Sequence, residues 1–318
     1  MDWNSDYITD LIARALRENE RVDAASASAI ASANSAASGR IIAEQDVVIA
    51  GLPFTARVFA ALDSRMQVDA FAQDGAVVDR GKKLLRLRGT AGAILTGQRT
   101  ALVFLGWLSG IATLTRSYVL EVAGSRAKIC CTQETTPGLH LLEQYAMETG
   151  GGSNPGAESK QIMRITESHI AVAGGVKAAL DQAHAYVSLR MEPQAMTAYE
   201  AVGSIPNAQE ANSLSIRVEV RNELELREAV ASGADWVTLK NLASAEVRSF
   251  VALARSIRSD CIVEVAGDIA LQDAREYAET GPDFLAVAAL TRSAPRASVR
   301  LLVDGIGETL DRTRDALD

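Results

Sequence analysis

The chain has 318 residues and is 48% hydrophobic, enough for two ordinary domains or for one barrel with an added layer. A net charge of −8 and the absence of a long Lys/Arg run argue against nucleic acid or an anionic membrane as a partner. No apolar run is expected to reach the ~18 residues of a membrane span, and the N-terminus has neither the basic start nor the apolar stretch of a signal peptide. Cys130, Cys131 and Cys261 form no CxxC motif, which points to a reduced, cytoplasmic setting without structural zinc.

In chain order, Ile8, Leu11, Ile12, Ala15 and Leu16 recur at helical spacing, so an amphipathic helix opens the protein. The Ala/Ser-rich stretch DAASASAIASANSAASG (23–39) reads as a loop or weak helix on the surface. GRIIAEQDVVIAG and KKLLRLRG read as strands, with LPFTARVFAALDS as a helix between them. The long apolar segment 91–124 reads as two consecutive helices joined at Gly110. Thr135-Thr136-Pro137-Gly138 reads as a turn leading into a helix.

From residue 127 the pattern becomes strand then helix. AKICCT, IMRIT, SIRVEV, WVTLK, CIVEVAG and FLAVAAL are short apolar strands, most of them followed by an amphipathic helix. Six βα-type units predict a parallel sheet closed, or nearly closed, into an α/β barrel. Chemistry in such barrels sits at the C-terminal strand ends. That rule selects Gln133 and Glu134, Thr166 to His169, Glu219, Lys240 and Asn241, Glu264 to Asp268, and Ala286 to Ala289.

With these elements in place, the sequence resembles the quinolinate phosphoribosyltransferase family, also called nicotinate-nucleotide pyrophosphorylases. The resemblance is carried by QRTALVFLGWLSGIATLT (98–115), TTPGLHLLEQYAMETGGG (135–152), RVEV (217–220), GADWVTLKN (233–241), VEVAGD (263–268) and LTRSA (290–294). It implies an N-terminal α/β sandwich over 1–113 and an α/β barrel over 114–290, with 291–318 packing back on the sandwich. It also implies a homodimer and a reaction joining a pyridine dicarboxylate to phosphoribosyl pyrophosphate with Mg2+.

The family's site residues carry over only in part. Arg99 matches an arginine that reaches into the neighbouring subunit's site, and Glu219 an acid that helps hold the metal. His169 is also kept. The family's Thr-Arg-Lys-Thr is here Thr132-Gln133-Glu134-Thr135, and its His-Arg falls on Pro155-Gly156. A lysine is replaced by Thr166 and the second metal-holding acid by Lys240. The phosphate loop reads Ala266-Gly267-Asp268, and the serine and glycine backing it read Ala286 and Ala288. The charge swaps sum to roughly −3 relative to the family pattern. A carboxylate about 4 Å from a phosphate costs ~4 kcal/mol at an effective dielectric near 20, so Asp268 disfavours the phosphate that the loop would hold.

The expected site therefore comprises Lys240, Glu219 and Glu134 as the chemical group. Arg99, Gln133, His169, Thr166, Glu264, Gly267 and Asp268 surround a small carboxylated substrate, and no metal or cofactor is expected. Lys240 reads either as an ion-pair partner of the surrounding acids or as an imine-forming nucleophile. Glu219 reads as base, metal ligand or ion-pair partner, and Glu134 as acid/base group or counter-ion. Cys130 and Cys131 alternate in direction, so one of them at most faces the barrel interior. Three functions follow: a family enzyme with altered acid/base or decarboxylating chemistry, a phosphoribosyltransferase with replacement phosphate ligands such as Arg164 or Arg292, and a non-catalytic metabolite-binding homologue.

Overall fold

The computed structural model describes residues 1–30, 35–132, 134–155, 162–190 and 214–306. It divides into two compact units. The first comprises Met1–Arg116, Thr136–Gly151 and the chain from Ser293; the second comprises Ser117–Thr135 and Gly152–Arg292. Thr136–Gly151, expected in the barrel, thus belongs with the first unit.

In the first unit, strands β1 (Ala36–Ala43), β3 (Gln67–Ala70), β5 (Lys83–Thr90) and β12 (Val299–Ile306) form an antiparallel sheet in the order β12-β1-β5-β3. Strands β2 (Val47–Val48) and β4 (Val77–Val78) pair separately. Helices α1 (Asp6–Ile30), α2 (Leu52–Leu62), most of α3 (Ala91–Glu121) and α4 (His140–Thr149) complete the unit. The Ala/Ser-rich stretch is helical as far as Ile30 and extended from Ala36. Phe54, Phe59, Ile41, Leu85, Leu87, Leu105 and Leu108 are fully buried and form the core.

Local chemistry sets these elements. Gly51 takes a left-handed conformation (φ 101°) ahead of α2, and the helix start is capped from a distance. The Asp74 carboxylate accepts the amides of Gly51 at 2.8 Å and Leu52 at 3.0 Å, and the Tyr145 hydroxyl at 2.5 Å. Before α4, the Glu143 side chain closes the expected turn by accepting the amide and hydroxyl of Thr136 at 2.8 and 2.7 Å.

Two expectations about residues 91–124 need correction. The segment is one helix, α3, and Gly110 is not a joint. A Cβ there would lie 2.1 Å from the Pro295 carbonyl oxygen, so glycine is required by a close backbone approach. In addition, α3 is long and apolar enough to cross a membrane by length and composition, with a mean hydropathy of 1.2 over 18 residues. Half of that window is buried inside the protein. Its Ser109 and Thr113 hydroxyls accept the amides of Ala50 at 3.1 Å and Val48 at 3.0 Å, which is how a core helix serves a neighbouring chain segment.

The second unit is the barrel. Strands β6 (Lys128–Cys131), β7 (Ile162–Ile165), β8 (Ser215–Val220), β9 (Trp236–Lys240), β10 (Ile262–Gly267) and β11 (Phe284–Val287) form a parallel sheet in the order β6-β11-β10-β9-β8-β7. These are the six strands read from the sequence. Chain order and spatial order agree from β7 to β11, and β6 takes the far side of β11. Among the described residues no ladder joins β6 to β7, so these two strands are the edges of the sheet. Helices α5 (Glu167–Ala173), α6 (Val176–Arg190), α7 (Glu223–Ala231), α8 (Ser244–Ile257), α9 (Ala274–Ala278) and α10 (Ala289–Arg292) follow the strands. The Asn222 side chain caps α7 by accepting the Glu225 amide at 2.9 Å.

Candidate functional site

Strand register builds the barrel interior in rungs. Arg164, Arg217 and Trp236 are partners across β7, β8 and β9. Glu219, Thr238 and Glu264 form the next rung across β8, β9 and β10. Lys240, Ala266, Ala286 and Cys130 form the rung above, across β9, β10, β11 and β6. Residues two apart share a face, so all three rungs point inward together. Barrel interiors are ordinarily filled by branched apolar side chains. Here two rungs carry arginines and glutamates.

The least exposed charged group of these rungs is Glu264, which is fully buried. Arg217 donates to it through Nη2 and to the Thr238 hydroxyl through Nε at 2.8 Å. The Arg217 guanidinium lies 5.1 Å from the Trp236 ring centre. Burial pushes the Glu264 carboxyl up to about 7, against the pull of Arg217 and Arg164. The Cys130 Sγ stands 4.0 Å from a Glu264 oxygen, and burial followed by that carboxylate pushes its thiol well up. Cys130 is therefore the inward-facing cysteine, and it acts in packing rather than as a nucleophile.

Above this network lies a cavity of about 180 Å³ at the C-terminal strand ends. Glu219 is its central acid. One carboxylate oxygen is 3.2 Å from Arg164 Nη2 and the other 3.8 Å from Lys240 Nζ. Arg292 of α10 pairs with Asp268 at the mouth. Glu134 also lines the cavity and makes no ion pair among the described residues, while its backbone carbonyl accepts the Thr291 hydroxyl at 2.9 Å. Gly267 (φ 154°) is needed there, since a Cβ would lie 2.7 Å from the Asn241 side-chain oxygen.

The structure gathers Glu134, Glu219, Lys240, Gly267 and Asp268 around this cavity, as the strand-end rule expects. Other expected site residues fall elsewhere. Glu264 supports the cavity from beneath through Arg217. Thr166 and His169 are absent from the lining and close the first turn of α5, the Thr166 amide donating to His169 Nδ1 at 3.2 Å. Arg99 is exposed on α3 in the first unit. Gln133 lies outside the described residues, as does Gly156.

Arg217 was missed by sequence reasoning, and Arg164 was considered only as a replacement phosphate ligand. The period-two alternation holds the signal for Arg217, which precedes Glu219 by two and must share its face.

The resemblance also implies Mg2+ held at Glu219 and at an acid where Lys240 stands. Both Glu219 oxygens face cations, and the second carboxylate has become an ammonium. This donor set does not fit a hard divalent cation.

A unit built on an antiparallel sheet and a parallel α/β barrel with a polar cavity at its strand ends define a two-unit α/β protein. The chain belongs to the quinolinate phosphoribosyl transferase family: the family's N-terminal domain matches residues 20–109 and its C-terminal domain residues 111–200 and 194–301. A probable nicotinate-nucleotide pyrophosphorylase [carboxylating] of Synechocystis is 32% identical over 80% of this chain and 79% of its own. The nicotinate-nucleotide pyrophosphorylase [carboxylating] of Mycobacterium leprae is 31% identical over 96% of this chain and 98% of its own. The crystal structure of NadC from Streptococcus pyogenes superposes with a TM-score of 0.78 at 28% identity, covering 94% of this chain and 96% of that one.

Proposed function

We propose that this protein is a family enzyme that acts on a small carboxylated, N-heteroaromatic acid at the barrel mouth without phosphoribosyl pyrophosphate. The observation that carries this reading is the pairing of every cation lining the cavity with a carboxylate of the protein: Arg164 and Lys240 with Glu219, Arg217 with Glu264, and Arg292 with Asp268. A polyanion needs uncommitted cations, open amides and metal ions. Here it would compete with Glu219 and Asp268 for the same donors. The cavity of about 180 Å³ also falls below the ~300–1,000 Å³ of pockets for drug-sized ligands, which suits a single-ring acid.

The residue types suit acid/base or decarboxylating chemistry. Loss of CO2 leaves the bonding pair on carbon, and a proton then replaces the carboxyl group. Lys240 and Arg164 supply positive charge beside such a carbanion, and Glu134, free of an ion-pair partner among the described residues, is the proton-transfer group. Arg99 contributes from a second copy of the chain in a homodimer, as the family resemblance implies.

Calorimetric titration with phosphoribosyl pyrophosphate and Mg2+ tests this reading. No heat is expected down to about millimolar affinity, which corresponds to ~4 kcal/mol. No nucleotide should form from quinolinate. Micromolar binding would overturn the proposal in favour of a phosphoribosyltransferase using Arg164 and Arg292.

A further inference from the structure

Helices α1 and α2 of the first unit line a groove of about 610 Å³. On α1, Thr9, Ile12, Leu16 and Arg17 are spaced by whole turns and share one face. On α2, Arg57, Ala60 and Ala61 share a face for the same reason. Ile12 is buried and Leu16 half-buried, which makes the floor apolar. Ala60 and Ala61 are exposed, and their short side chains leave the space above that floor unfilled. A cleft of this volume, mostly apolar with a few polar groups at its rim, has the make-up of a small-molecule site.

The polar groups identify the ligand's class. Arg57 is half-buried and held in place: Nη2 donates to the Thr9 hydroxyl at 3.1 Å and Nη1 to the Asn4 side-chain oxygen. Both acceptors are neutral, so the guanidinium is oriented without its charge being compensated. Its remaining N–H groups have no acceptor among the described residues. Arg17 stands at the other end of the α1 face, roughly 12 Å from Thr9 along the helix. It makes no hydrogen bond or ion pair among the described residues. Asp6, Asp10 and Glu18 also lie on α1, yet none of them pairs with either arginine among the described residues or lines the groove. In a chain of net charge −8 this is a local excess of positive charge beside an apolar floor. A carboxylate matches the open edge of the Arg57 guanidinium in plane and charge, and an alkyl chain matches the floor.

We propose that this groove is a binding site for a long-chain carboxylic acid, with the carboxylate on Arg57 and the chain lying along Ile12, Leu16, Ala60 and Ala61. Arg17 covers the far end of the chain with its aliphatic stem and keeps its guanidinium in water. The site belongs to the first unit and does not rest on the reading of the barrel cavity.

Titration calorimetry on the whole protein with dodecanoate, kept below its micelle concentration, tests the site. Dodecanoate should bind, and Arg57→Met should weaken it about 10- to 100-fold. Dodecyltrimethylammonium, with the same chain and the opposite charge, should give no comparable heat. Arg57→Met also removes the bonds to Asn4 and Thr9, so a second variant tests the groove without touching them. Ala61→Trp alters an exposed position, and its indole should fill the groove and abolish binding. Dodecanoate affinity that is unchanged in either variant would overturn the site, as would equal affinity for the two amphiphiles. Absence of heat with dodecanoate up to about 1 mM would do the same. Conversion of a dimer into a monomer by Ala61→Trp, read by light scattering, would assign the groove to a second copy of the chain and overturn the proposal.

Discussion

Arg217 and Glu264 sit on β8 and β10, with β9 between them, and their side chains meet beside Thr238 inside the barrel. The sequence separation is 47 residues, and the pair is buried on both sides. Burial raises the Glu264 carboxyl from 4.5 to about 7. The groups facing it are Arg217, Arg164, Thr238 and Cys130.

A pH dependence follows. A carboxyl with a raised folded pKa takes up a proton more readily in the folded state than in the unfolded one. Its stabilising contribution is complete below about 4.5 and is lost as pH rises through about 7. The ceiling is on the order of 3 kcal/mol. Urea melts of the protein and of Glu264→Gln between pH 5 and 8 should therefore differ in slope, with the unaltered protein losing more stability on the alkaline side. Parallel profiles would show that Glu264 does not titrate in this range.

Lys240→Met should cost little stability. A buried pair would lose ~3–5 kcal/mol on losing one partner, the expectation if Lys240 were enclosed. Its side chain is instead 44% exposed, and Glu219 keeps Arg164 after the substitution. Less than about 1 kcal/mol is expected by urea denaturation, together with loss of turnover on the natural substrate. Borohydride trapping of an adduct on Lys240 would assign it instead as an imine-forming nucleophile.

Gly110→Ala discriminates a joint from a close approach by sign. At an open position within a helix the change would stabilise by ~1 kcal/mol. Against the Pro295 carbonyl it should destabilise by ~1–3 kcal/mol. A thermal melt decides between them.

Asp268→Asn should release Arg292 and raise affinity for inorganic pyrophosphate several-fold at low ionic strength, with the gain shrinking as salt screens the exposed site. No change at low salt would remove Asp268 as the residue that excludes phosphates.

Light scattering should give a dimer at micromolar concentration. The motive is α3, which leaves Val103 at 41% and Leu120 at 57% exposed. A monomer would take Arg99 out of the site.

The sequence by itself determined the six barrel strands, the strand-end positions of Glu219, Lys240 and Asp268, and the family. These are local properties: period-two runs, turn residues and contiguous motifs survive in one dimension. It also held half the information about Arg217, because alternation fixes which face a strand residue takes.

Only the tertiary structure decided what each face meets. The sheet register places Arg164 beside Arg217 and sets Glu264 behind it, across segments far apart in the chain. Thr166 and His169 look like strand-end ligands in one dimension, yet the start of α5 uses them to satisfy its own first turn. Asp268 reads as an uncompensated charge until α10 brings Arg292 against it. Gly110 reads as a helix break until the chain near Pro295 occupies the space of its missing Cβ. Each of these outcomes depends on a partner distant in sequence, and a periodicity argument contains no term for distant partners.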